Sequence, residues 1–77
     1  MDIDTEKIDE AVLALLYLTL HDQVRAWKTH DWVVLDRLHQ KGMIANPVGK
    51  EKSVVLTDEG LSECERLFRT LFERTGA

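Results

Sequence analysis

The sequence holds little of what usually betrays a function. Its 77 residues include one cysteine, Cys64, so no internal disulfide can form and a cysteine-stapled mini-domain is excluded. One proline and four glycines leave no room for a flexible linker or a collagen-like repeat. Long apolar runs are missing as well. The richest stretch, Ala11 to Leu20, falls short of the ~20 residues that a bilayer span requires. The opening ten residues carry five acids, where a secretory leader would start with positive charge. A cytoplasmic protein with no membrane partner is expected.

Chemistry-bearing patterns are equally sparse. His21, His30 and His39 include no pair one helical turn apart, the spacing that lets two imidazoles converge on one zinc ion. His21 and His30 read instead as turn residues, each followed by an aspartate. Gly49-Lys50 lacks the upstream glycine and following hydroxyl of a phosphate-binding loop. Cys64 sits on an apolar helix face with no base placed beside it by spacing, so it reads as a small hydrophobe rather than a nucleophile. No catalytic residue, metal or cofactor is expected, and the chain does not read as an enzyme.

What is present is a run of helical and strand signals fit for one small domain over residues 1–77. Asp4 or Thr5 can cap a helix running from Glu6 to about Leu20. Ile8, Val12, Leu15, Leu16 and Thr19 share one face of it, whereas Leu13, Tyr17 and Leu20 lie nearly opposite. A helix apolar on two faces is central in its fold or also buried against another chain. In so short a chain, whose ordering costs on the order of 100 kcal/mol, the second is favoured.

After a break at His21-Asp22-Gln23, Val24 to Lys28 alternates in the manner of a short strand, with Arg25 and Trp27 on one side. Trp27 is then an exposed anchor for a partner. Asp31 caps a helix Trp32–Lys41, with Trp32, Val34, Leu35 and Leu38 inward, Val33, Asp36, Arg37 and Gln40 outward, and Gly42 as its left-handed stop. Met43-Ile44 and Ser53 to Leu56, separated by the turn residues Asn46, Pro47 and Gly49, predict a hairpin. Thr57 caps a last helix with apolar residues Leu61, Cys64, Leu67, Phe68, Leu71 and Phe72, and its three-and-four spacing also suits a short seam between two chains. Thr75 to Ala77 reads as a frayed end.

Two resemblances follow from these pieces. The segment Leu35-Asp36-Arg37-Leu38-His39-Gln40-Lys41-Gly42-Met43-Ile44, followed twelve residues later by Leu56-Thr57-Asp58-Glu59-Gly60, resembles the second half of MarR-like and PadR-like winged-helix regulators. It covers about a third of the chain. The whole chain is also similar to a family of small bacterial proteins of unknown function, through Lys7 to Asp22, Arg25-Ala26-Trp27-Lys28 and Lys52-Ser53-Val54-Val55-Leu56-Thr57. The first resemblance implies an α+β winged-helix-like domain in the order helix, short strand, helix, hairpin wing, helix. Only ten residues separate Leu20 from Asp31, so the middle helix of a helix-turn-helix is a single turn or absent.

Charge adds direction. Residues 1–24 carry −5, residues 25–52 carry +3 and residues 53–77 carry −2, so an overall −4 conceals a basic middle. A dimeric winged-helix-like regulator would grip duplex DNA there. Lys50 and Lys52 would contact phosphate, Arg37 and Gln40 would read base edges, and Lys41 would support them. Leu13, Tyr17, Leu20, Cys64, Phe68 and Leu71 would form the homodimer contact. The rival expectation is a protein-interaction module of the same fold that does not bind DNA. It fits the acidic total and the two-faced first helix.

Overall fold

A computed structural model describes residues 1–28 and 31–74. The turn expected at His30 and the frayed end expected at Thr75 to Ala77 lie outside the described residues. The chain is a small α+β unit of three helices and a two-stranded antiparallel sheet.

Helix α1 spans Thr5–Leu16 and is capped by Asp4, whose Oδ1 accepts from the Lys7 amide at 3.1 Å. It tightens into a 3₁₀ turn at Tyr17–Thr19 rather than continuing as α-helix to Leu20. A reversal with Asp22 and Gln23 at positive φ (48° and 69°) returns the chain into strand β1, Arg25–Trp27. Helix α2 spans Trp32–Gln40, and Gly42 takes the left-handed φ of +79° just beyond it. Strand β2, Ser53–Val55, leads into helix α3, Asp58–Phe72, capped by Thr57.

The sheet departs from the expected hairpin. β2 pairs with β1, in the register Arg25 to Val55, Ala26 to Val54 and Trp27 to Ser53. The Met43-Ile44 stretch contributes a single bridge, Ile44 to Leu56, on the other side. The chain then leaves the ladder, because Pro47 has no amide to donate and the Asn46 side chain accepts from the Val48 amide in a tight turn. Lys28 holds this loop, donating to the Pro47 carbonyl at 2.5 Å and to that of Gly49 at 3.5 Å.

The core gathers Leu13, Ala14 and Leu16 of α1, Leu35 and Leu38 of α2, Ala26, Ile44, Val54 and Leu56 around the sheet, and Cys64 and Leu67 of α3. Gly60 sits where α3 passes over the exit of α2, and a Cβ there would collide with the Met43 carbonyl. The sequence makes that glycine look like a mild helix penalty, yet the close approach requires it. No helix among the described residues is long and apolar enough to cross a membrane.

Candidate functional site

Two clusters of charged side chains stand out. The first lies between α1 and α2. Asp9 follows the buried stripe of α1 one turn before Val12 and Leu13, and only 1% of its surface is exposed. Such an acid needs partners. Arg37 supplies them: its Nε donates to both carboxylate oxygens at 2.9 Å and its Nη2 to Oδ1 at 2.7 Å. Lys41 donates to Asp9 Oδ2 at 2.8 Å and to Glu6 Oε2 at 2.9 Å. The Arg37 hydrogen bonds, opposed by burial and aided by Lys41, hold the Asp9 carboxyl below its ordinary value. Bonding to Asp9 raises Arg37 and, with help from Glu6, Lys41.

This arrangement corrects the expected base-reading helix. Arg37 and Lys41 are not spare cations; both are bound to Asp9. Gln40 is exposed, and its amide donates to Asp36 at 2.9 Å. A shallow groove of about 120 Å³ beside the cluster is lined by Glu6, Asp9, Glu10, Lys41 and Glu63 together with apolar side chains, an acidic wall unsuited to phosphate.

The second cluster is at the sheet end. Lys28 and Lys52 are neighbours in the ladder, the Lys28 amide donating to the Lys52 carbonyl at 2.7 Å. Lys50 and Lys52 are exposed on the loop. Arg25 donates from Nη1 to Ser53 Oγ at 3.3 Å. Among the described residues, none of these four cations has a carboxylate ion pair, whereas Arg37, Lys41, Arg66 and Arg69 all do. Glu51, the acid between the two loop lysines, turns toward Gly49. On the outer side of β1, the Trp27 indole stacks on His21 with centroids 4.2 Å apart.

Trp32 was expected inward, but it is 56% exposed. It opens α2 beyond the edge of the core, and Lys28 Nζ lies 5.3 Å from its ring centroid in a cation–π contact. Of the described histidines, His21, expected in a turn, donates from Nδ1–H to the Thr19 carbonyl, and His39 donates from Nδ1–H to that of Ile44.

The expected dimer contacts divide. Leu13 and Cys64 are enclosed in the monomer core at 3% and 0% exposure, so neither can meet a second chain. Burial also pushes the Cys64 thiol up, and it donates to the Leu61 carbonyl. Tyr17, Leu20 and Phe68 are half-buried against the core, with the Tyr17 and Phe68 rings 5.0 Å apart. Leu71 is 48% exposed, as is Phe72, whose ring lies 5.4 Å from Phe68. Leu18, at 64%, is a further exposed apolar group that the helical period did not single out.

Fold and clusters define a small α+β domain with a basic, aromatic sheet end and an acid-centred helix seam. The chain belongs to the family described as Domain of unknown function (DUF6429), whose model matches residues 4–74. It is 62% identical over 74 residues to the "Uncharacterized protein y4hR" of Sinorhizobium fredii (strain NBRC 101917 / NGR234), covering 96% of this chain and all of that protein. No solved structure matches.

Proposed function

We propose that this chain is a cytoplasmic nucleic-acid-binding module of winged-helix-like form, acting as a small dimeric regulator that grips duplex DNA with its sheet end. One observation carries the reading: Arg25, Lys28, Lys50 and Lys52 gather around one loop with no carboxylate partner among the described residues, in a chain of net charge −4. Exposed cations that no carboxylate neutralises are free to meet the phosphates of a polyanion. The loop after Ile44, bounded by the Ile44–Leu56 bridge and packed beside β1, supports likeness to a wing. Gln40 is exposed and would have to release Asp36 to reach a base; Arg37 and Lys41, bound to Asp9, are left out of the proposed contact.

Replacing Lys50 and Lys52 together with alanine is expected to weaken binding to every duplex and to reduce the slope of log affinity against log salt by about 2. Affinity and slope unchanged in that variant would overturn the reading.

A second reading, a module that binds protein rather than DNA, is favoured by Leu18, Leu71 and Phe72, which leave an apolar end beside the Tyr17–Phe68–Phe72 rings. The same end is the natural dimer contact. Leu71→Asp with Phe72→Asp should halve the mass in sedimentation; an unchanged mass places self-association elsewhere.

A further inference from the structure

We propose that the outer face of the sheet is a stacking platform for unpaired bases, so that the sheet end holds single-stranded nucleic acid as well as a duplex backbone. The inference rests on the reading of that end as a nucleic-acid surface and gives it a ligand class of its own.

Trp27 is the central observation. It sits on a three-residue strand whose other face, Ala26, is fully buried, so the indole is turned outward by the pleat. Nearly half of its surface, 46%, meets solvent. The ring is nonetheless held in place. His21 stacks against it at an interplanar angle of 26°, and the Trp27 amide donates to Thr19 Oγ1 at 3.1 Å. His21 is in turn fixed by the Thr19 carbonyl and by its two backbone bonds with Arg25. An aromatic ring positioned this way loses little side-chain freedom when a flat partner settles on it.

What surrounds the ring selects that partner. Arg25 shares the outer face two residues earlier and donates to Ser53, the register partner of Trp27, while Lys52 stands at the strand end on the alternate pleat position. Neither cation has a carboxylate ion pair among the described residues. An apolar protein segment would satisfy the indole but strand the cations, and a simple anion would satisfy the cations but leave the indole wet. A strand of nucleotides offers a planar base for the ring and a phosphate for each neighbouring cation, the combination that sequence-tolerant single-strand binding uses. In a paired duplex the bases are stacked on one another, so Trp27 has nothing to receive there.

The test uses fluorescein-labelled oligothymidylate and a mixed duplex of the same length, titrated by anisotropy at low salt. Trp27→Ala should bind oligothymidylate about tenfold more weakly, Trp27→Phe should recover most of that loss, and duplex affinity should stay within about twofold of wild type. In Trp32→Phe, where Trp27 is the sole indole, emission should be quenched by oligothymidylate. Equal single-strand affinity in wild type and Trp27→Ala, or unquenched emission, overturns the platform. Duplex binding without single-strand binding sinks this inference alone. Binding of neither overturns the nucleic-acid reading itself.

Discussion

The α1–α2 seam and the sheet end each hold basic side chains, and they put them to opposite use. At the seam, Arg37 and Lys41 converge on Asp9 with five hydrogen bonds counting that to Glu6, and their charge is consumed within the fold. At the sheet end, Arg25 and Lys28 bond only neutral acceptors among the described residues, and Lys50 and Lys52 extend from the loop. Residue type therefore says little about availability. What separates the two regions is whether a carboxylate on a neighbouring element faces the cation, and only a tertiary structure supplies that.

The contrast can be broken most forcefully at Asp9. Asp9→Asn leaves two partly buried cations without their counter-charge. The variant should lose about 2–3 kcal/mol, less than a fully buried pair because both cations reach solvent, and its Tm should fall by about 10–20 °C. DNA affinity of the folded protein should not change, as read by anisotropy. Acid should mimic the substitution. Because the folded carboxyl titrates below its unfolded value near 3.8, its stabilisation is present above that value and disappears as pH falls through the lowered folded one. Denaturation followed by circular dichroism between about pH 5 and pH 2 should show a steeper decline in wild type than in Asp9→Asn, where the Arg66-paired Glu63 still contributes.

Arg37→Gln should have a smaller effect on melting, since Lys41 still neutralises Asp9. Under the proposed function it should leave the salt slope of duplex binding untouched, and a reduced slope would return Arg37 to the proposed contact. The smallest stability effect belongs to the sheet end. Lys50→Ala with Lys52→Ala should keep its folding free energy within about 0.5 kcal/mol, because exposed side chains without partners stabilise little.

Much of the framework is legible in the residues. Asp4 and Thr57 cap their helices as their side chains suggest, and Gly42 ends α2 with a positive φ. Asp31 precedes α2 as expected but makes no side-chain cap bond. The errors share a cause: a periodicity argument treats each side chain as apolar-in or charged-out. That puts Ile8 inside and passes over Asp9, whereas Ile8 is 39% exposed and Asp9 is buried. The apolar stripe of α1 is therefore shifted, Leu13 belongs to the core, and the two-faced helix is largely absorbed by α3 within one chain. An acid aligned with Val12 and Leu16 was the available signal, and it acquires meaning only with Arg37 opposite. The strand pairing was hidden for a similar reason. Ser53 to Val55 can satisfy its backbone with either neighbour, and the tethered Pro47 loop leaves β1 as the longer partner.

The Thr57 hydroxyl links two helix ends as well as capping one. Thr57 Oγ1 accepts from the Gly60 amide while donating to the Gly42 carbonyl at 2.6 Å, so it fastens the start of α3 to the exit of α2 across 15 residues. The seam at Asp9 must close 28 residues or more before its bonds form. Shorter closure costs less chain entropy, and nearby contacts form sooner. The Thr57 clasp between the two helix ends therefore closes at a smaller entropic cost than the Asp9 seam, which ties α1 to α2 across the longer loop.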